Sequence, residues 1–449
     1  MTSSDRAGAG SWIVVGAGSA GCVLANRLSF DSDRSVILIE GGPDLDRGDL
    51  VGDLGGPDFL AALDVPNRTY DSLVATRATG GLASPYPRGR GVGGSSTVNA
   101  MVALRGDPDL YRSWGWSDTD EAWAGVELPQ EKADDAELGA VDRALLASAP
   151  DAERARLTRR HGRRVTAAEA SLWPALERSN LTVRVESSVD RVVFEGRRAV
   201  GVLMADGDTV AADHVVLAAG AIHTPAILLR SRVDTPGVGV GLQDHPSAPF
   251  TLLLRAGAVG SPGQLAIGTL LQRDPWQFLP MNHLGVAAPG FGLLMAALMR
   301  PHGSAGTVRL ASDDPTVDPQ VDFALLDDPR DVAAMVAGVH IALELLAAPA
   351  FRDVVEEVYI DASGTTSAAL SSDDSIERWV REAVGDYVHA SSTCAMGTVV
   401  DGDGRLVGYD GVYVCDASVF PSIPDVNTHL PTTMLAERLS ARWLRHPHR

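Results

Sequence analysis

The apolar positions of this chain fall into runs of distinct kinds. Short unbroken runs stand near both ends: "WIVV" at residue 12, "SVILIE" ending on Glu40, and "GVYVCDAS" near residue 412. Unbroken runs suit strands buried on both faces, as in a parallel sheet. "GAGSAGCVLANRL" lies between the first two, a glycine turn feeding an apolar helix. Residues 12–40 therefore predict a strand–helix–strand unit. The chain closes on "PTTMLAERLSARWL", with Pro431 at its start and Leu435, Leu439 and Trp443 one helical turn apart.

The middle reads differently. "LTVRVESSV", "VVFEGRRAVGVLM" and "DTVAADHVVLAAG" alternate as half-buried strands do, and "AIHTPAILLR" follows, where Pro225 suits the first turn of a helix. Residues 250–380 mix strand-like runs ("FTLLLRA", "GTVRLAS") with a long amphipathic helix near 329–348. Residues 50–80 read mostly as loop, 87–106 as a second glycine-rich segment, and the charged, alanine-rich stretch 120–165 as solvated helix. No internal repeat is visible. The order predicts an α/β fold in which a dinucleotide-binding domain is interrupted by a more antiparallel one.

Composition narrows the function classes. The chain has 449 residues, 45% of them hydrophobic, enough for two or three domain-sized units with real cores. A formal charge of −20 speaks against nucleic acid and anionic membrane surfaces as partners. Cys22, Cys394 and Cys415 are far apart and odd in number, which fits neither a disulfide framework nor a metal spacing. The segment "MTSSDRAGAG" reads as no signal peptide, and "FGLLMAALM" is too short to span a bilayer. The expectation is a cytoplasmic protein without a transmembrane segment, with peripheral association at a membrane as the alternative.

The chemistry begins at Gly16, Gly18 and Gly21, a G-x-G-x-x-G between a strand and a helix. Such glycines give a tight turn, close backbone approach to a pyrophosphate, and close helix–strand packing. The helix N-terminus then offers free N–H groups to the phosphates. Glu40, at the end of the next strand, is placed to accept from ribose hydroxyls and to repel a 2′-phosphate. The motif alone does not separate NAD from FAD.

Several further blocks resemble the glucose–methanol–choline (GMC) oxidoreductases, in that family's order. They are "GRGVGGSSTVNAMV", "GRRVTAAEASLWPALERSNLTVRVESSVDRVVFEGRRAVGV", "VVLAAGAIHTPAILLRS", "PGVGVGLQDHP", "GTVRLASDDPTVDPQVDF", "HASSTCAMG" and "VYVCDASVFPSIPDVNTHLPTTMLAERL". The resemblance implies a discontinuous Rossmann-like FAD-binding domain, here 10–249 with 384–449. It implies an inserted α+β substrate-binding domain on an antiparallel sheet, here 250–383. It implies that Gly93, Gly94, Ser95, Asn99, Ala100, Met101 and Val102 lie along the flavin. It implies too that Val189 meets the adenine and that Asp416 and Ala417 give contacts to the flavin. Some members attach FAD through a histidine just before the asparagine; Val98 stands there, which implies non-covalent FAD. The connector before "LQDHP" and the region 107–160 are short against typical members, which implies a more open substrate site.

Oxidising an alcohol on a flavin needs a base for the hydroxyl proton and a polar group to hold the oxygen. A lone histidine is most often structural. Here His389, in "H-x-x-x-T-C-x-M-G", and His429, in "N-T-H-x-P-T", fall on the two positions that serve these roles in the family. The expectation is His389 as base and His429 as the alkoxide-orienting partner, the two roles being exchangeable. His429 also opens the last helix, whose dipole would favour negative charge on reduced flavin. His223 and His245 are read as structural.

The implied activity is oxidation of a CH–OH group, the substrate being a small alcohol or a reduced redox carrier. The short frame resembles GMC members associated with the redox cofactor mycofactocin. That implies a dehydrogenase passing electrons to an acceptor other than oxygen, itself unidentified. An oxygen-using alcohol oxidase, a flavin-containing hydroxynitrile lyase and a non-catalytic flavin-binding protein are the alternatives.

Overall fold

A computed structural model gives the fold of residues 10–261 and 263–445; most of "MTSSDRAGAG" lies outside the described residues. The expected strand–helix–strand unit is β1 (Ser11–Val15), α1 (Ser19–Leu28) and β2 (Ser35–Ile39). A five-stranded parallel sheet builds on it in the order Leu181–Arg184, β2, β1, His214–Leu217, Val412–Val414. Ile13, Val14, Val36, Leu38 and Val216 are fully buried, so the unbroken apolar runs are strands covered on both faces. Val15, Ile39, Leu217 and Val414 stand side by side at the ends of four of these strands. Gly16, Glu40 and Ala218, which follow the first three, and Asp416, two residues beyond Val414, line one large cavity. Parallel sheets bind their ligands at this carboxyl edge. The closing helix, His429–Arg445, packs on α1.

The inserted segment carries a six-stranded antiparallel sheet: Val355–Tyr359, Ser247–Leu254, Phe291–Leu298, Trp276–Met281, Thr269–Arg273 and Glu153–Arg154. "FGLLMAALM" is a strand of it. The helix Pro329–Ala347 buries Val332, Met335, Val339, Ala342 and Leu346, one stripe at helical spacing, against that sheet. Asp328 caps it, accepting from the Arg330 amide. A mixed sheet joins Val240–Leu242, Gly306–Arg309 and Gln320–Asp322 to Val74–Thr76 and Ser84–Pro85. Residues 74–76, 84–85 and 153–154 thus pair with strands of the inserted half, and 50–80 is not all loop.

Two sequence expectations need correction. The stretch 120–165 is not one solvated helix. It holds two short helices, Thr119–Gly125 and Ala140–Ser148, an antiparallel pair of Glu131–Lys132 with Arg156–Leu157, and one small hairpin of Arg159–Arg160 with Arg163–Arg164. Arg159 and Arg164, which face each other in that hairpin, are buried, at 2% and 0% exposure. Arg159 lies on Glu137 with both Nη atoms at 2.7 Å, and Arg164 donates to Asn99 Oδ1 at 2.7 Å. Charge therefore misled the reading, because paired guanidinium groups can be interior. Pro225 is not in a first turn either. The helix begins at Gly220, whose amide Asp416 caps at 2.9 Å, so Pro225 falls inside it. The carbonyl that a proline cannot bond, Ala221 O, accepts from Thr393 Oγ1 at 2.8 Å instead.

Candidate active site

The cavity at the sheet edge has a volume of about 820 Å³. Its floor is the glycine turn. Gly16 takes φ +100°, and a Cβ there would meet Ala218 O at 2.6 Å. Gly21 stands back from the cavity; its Cβ would lie 1.8 Å from Gly16 O, so its absence lets α1 close on β1. Gly18 is open, a Cβ there meeting only Gly94 Cα at 4.0 Å. Glu40 accepts from the amides of Ala17 (2.8 Å), Gly42 (2.9 Å) and Gly91 (3.1 Å). It thereby ties both glycine-rich segments to the end of β2 while lining the cavity.

The second glycine segment packs on the first. Gly93 donates to Ala17 O at 2.8 Å and does not reach the cavity; Gly94 and Ser95 do. Asn99 Oδ1 accepts from Met101 N at 3.1 Å, which helps hold Met101 at φ +62°. Met101 O in turn accepts from Thr158 N at 2.8 Å. Asn99, Ala100, Met101 and Val102 then form one wall, and Val98 lines it too. Val189 lies on the far wall beside Ser187 and Ser188. Asp416 is buried and accepts from Gly220 N, Thr224 Oγ1 and Ser418 N at 2.9, 2.6 and 2.8 Å. It and Ala417 complete the edge. A turn open at Gly18, a carboxylate at the ribose position and a pocket of this size fit FAD.

Both predicted histidines line this cavity but meet different partners. His429 Nδ1 lies 2.9 Å from Ser19 Oγ, at the start of α1. Its Nε2 is buried and without a protein partner among the described residues. Burial and the Arg164 guanidinium bring its pKa down to about 4. His389 Nε2 is 3.4 Å from Asn427 Nδ2, so Asn427, two residues before His429, stands directly against it. Sequence reasoning missed Asn427, although "VNTHLP" places it in the same motif.

His245, read from the sequence as structural, also stands against His389. That ring is fully buried, with Nε2 2.9 Å from Pro424 O and Nδ1 2.9 Å from His389 Nδ1. The ring lies edge-on to that of His389, with centroids 5.2 Å apart. Asp244 organises the group: it accepts from the amides of His245 (2.7 Å), Tyr387 (3.2 Å) and His389 (2.9 Å) and from Tyr86 Oη (3.2 Å). Burial and the nearby Asp386 push its carboxyl up, against the pull of those donors. Asp244, His245 and His389 bring ligand-type atoms within 4.8 Å of one another, but each is already engaged in these hydrogen bonds. The three cysteines are buried, and burial raises all three thiols, Cys22 to about 12, which disfavours the thiolate.

Burial, with His245 and the Arg88 guanidinium beside it, holds His389 well below the usual histidine range. The resemblance implies that His389 is a base; a base works in its neutral form, and a lowered pKa keeps it neutral into mild acid. The rate of flavin reduction by saturating alcohol should therefore stay level as pH falls from 8 to about 6.5, the ordinary histidine value. Its acid limb should lie lower. Stopped-flow reduction across pH 5–8 checks this; a limb centred near 6.5 or above contradicts it.

Among the described residues no helix is long and apolar enough to cross a membrane. The 5-(hydroxymethyl)furfural oxidase of Methylovorus sp. is 32% identical, over 96% of this chain and 97% of its own length. An oxygen-dependent choline dehydrogenase of Paraburkholderia phymatum is 30% identical, over 96% and 92%. That alignment runs over 544 positions against 449 residues here, so the relative carries segments this chain lacks. The pyridoxine 4-oxidase of Mesorbium loti superposes with a TM-score of 0.87 at 26% identity, covering 98% of this chain and 100% of that one. A formate oxidase of Aspergillus oryzae, 19% identical over 97% and 98%, shares the fold with a TM-score of 0.86. Residues 11–137 and 147–247 match the N-terminal, and 301–436 the C-terminal, domain of the GMC oxidoreductases. The chain belongs to the GMC oxidoreductase family, FAD-dependent enzymes that act on CH–OH donors.

Proposed function

We propose that this enzyme oxidises an uncharged alcohol with an apolar body, His389 Nε2 taking the hydroxyl proton. One observation carries the substrate class. Tyr387, whose ring is 5.1 Å from that of His389, packs in one cluster with Met101, Val102, Ile267, Leu279 and Met281. All of these line the cavity, so the wall beside the base is apolar and rich in methionine. The carboxylates near His389 are committed: Asp244 to its four donors and Asp386 to Arg77 at 2.6 Å. A quaternary ammonium finds no free anion there, which favours a neutral alcohol over choline.

Bound FAD, held without a covalent link since Val98 is no nucleophile, supplies the acceptor for the substrate hydride. The chain's residues do the rest. His389 accepts the proton as the C–H bond breaks, and Asn427 and His429 hold the substrate oxygen. The glycine turn, Glu40 and the wall Asn99–Val102 hold the cofactor, and the amides that open the closing helix favour negative charge on its reduced form.

For the second half of the cycle the reading is an acceptor other than oxygen, and the alternative donor for the first half is a reduced redox carrier such as mycofactocin. The short frame supports it. The relatives named as oxidases favour oxygen instead. One experiment addresses both points. The holoenzyme is mixed anaerobically with benzyl alcohol, an aliphatic alcohol and choline, and the reduced enzyme is then given oxygen or a dye. Fast bleaching by neutral alcohols, none by choline, and faster reoxidation by dye are expected. Bleaching by choline alone rejects the substrate class, and rapid peroxide formation rejects the acceptor. Release of an aldehyde and cyanide from a cyanohydrin such as mandelonitrile, its C–CN bond breaking without bleaching, would indicate a lyase.

A further inference from the structure

We infer that His245 is a positioning residue that fixes His389 as the tautomer with its proton on Nδ1 and its lone pair on Nε2. The inference rests on the reading of His389 as the base and adds which nitrogen acts and what selects it.

The argument is a count of protons. The two Nδ1 atoms are 2.9 Å apart, a hydrogen-bond distance that holds one proton and no more. His245 Nε2 is 2.9 Å from Pro424 O, which can only accept, so a proton sits on that Nε2. A neutral ring protonated there has a bare Nδ1. The shared proton therefore belongs to His389 Nδ1, and His389 Nε2 keeps its lone pair. Asn427 Nδ2, 3.4 Å from that Nε2, is a donor and agrees with this direction. The chain runs one way: Asn427 to His389, His389 to His245, His245 to Pro424. With the other tautomer of His389, two lone pairs would face each other at 2.9 Å.

A doubly protonated His245 does not fit the site. The ring is fully buried, and the carboxylate beside it, Asp244, turns its oxygens to backbone amides and Tyr86. Those same bonds set the contact. Asp244 accepts from the His245 amide at 2.7 Å and from the His389 amide at 2.9 Å, so one carboxylate brings together two backbones 144 residues apart. His389 is thus oriented by a neutral acceptor rather than an anion. In the reaction the substrate O–H bond breaks, an Nε2–H bond forms, and the hydride goes to the flavin. The Nδ1–H bond to His245 persists throughout.

The test is nitrogen NMR of the FAD-loaded enzyme labelled with ¹⁵N-histidine, the two signals being assigned by loss in His389→Gln and His245→Asn. The expected result is a proton on His389 Nδ1 and on His245 Nε2. A proton on His389 Nε2, or on His245 Nδ1 drawn by the nearby Met299 carbonyl, overturns the proposal. This readout is independent of turnover. A failure of His389 as base would instead appear as normal reduction in His389→Ala with the tautomer intact.

Kinetics add a second arm. His245→Met removes the acceptor, and His245→Asn keeps an oxygen near the Nδ1 position. Flavin reduction should slow roughly 10- to 100-fold in the methionine variant, by loss of orientation and tautomer, with little change in KM. The asparagine variant should recover most of that rate. Equal impairment in both variants would mean that His245 only fills space. If His245→Met does not fold, the wild-type spectrum still decides.

Discussion

His389→Ala protein should purify yellow and reduce its flavin with alcohol roughly 10²- to 10⁴-fold more slowly than the parent, the span over which a positioned general base acts. Retention of FAD follows from the separation of tasks. The residues proposed to hold the cofactor are the glycine turn, Glu40 and the wall Asn99–Val102, none of which bonds to the His389 ring. Retention of the fold follows from how the loop is held. Val388 and Ser392 flank His389 at φ +60° and +72°, a left-handed conformation that costs about 1–2 kcal/mol for a side-chain-bearing residue. Backbone bonds hold it there: Asp244 takes the Tyr387 and His389 amides, and Arg88 Nη1 donates to Val388 O at 2.6 Å. Truncating the ring touches none of these. Anaerobic stopped-flow bleaching of the flavin band measures the effect, and a near-normal rate would remove His389 from the mechanism.

How far the sequence announces this site depends on the kind of signal. β1, α1, β2 and the closing helix are legible because burial on a strand or helix imposes a period on local residues. Glu40 and the two glycine segments are legible because their spacing follows from one strand–turn–helix geometry. His245 is not, since its partner His389 lies 144 residues away and only the packing of two loops on Asp244 brings the rings together. Arg159 and Arg164 are not legible either. A run of arginines reads as surface until the carboxylate of Glu137 and the amide of Asn99 are seen to receive them. His429 shows the limit of a motif: it lies in the expected cavity, yet the side chain against His389 is Asn427, and His429 turns its Nδ1 to Ser19. A sequence position places a side chain near the site; its hydrogen-bond partner is decided by the fold.

The other large effect separates two glycines of one motif. Gly21→Ala should cost the fold, and Gly18→Ala should cost only the cofactor. At Gly21 the new methyl would lie 1.8 Å from the Gly16 carbonyl oxygen and 2.9 Å from its carbon. Those are backbone atoms at the turn, so α1 must lift from β1, and overpacking of this kind costs roughly 1–3 kcal/mol or more. Gly18 has φ −80°, which any residue adopts, and its methyl would meet protein only at 4.0 Å. The methyl would stand instead on the cavity surface, where a pyrophosphate must approach the backbone amides that open α1. Gly18→Ala should therefore give soluble protein with the melting temperature of the parent apoprotein and a much reduced FAD content. Gly21→Ala should melt well below the parent apoprotein or fail to accumulate. Comparing the apoproteins matters, because bound FAD raises the melting temperature of anything that retains it. If Gly18→Ala keeps a full complement of FAD, the pyrophosphate does not lie over that residue. If Gly21→Ala melts like the parent, the close packing of helix on turn is not what this glycine provides.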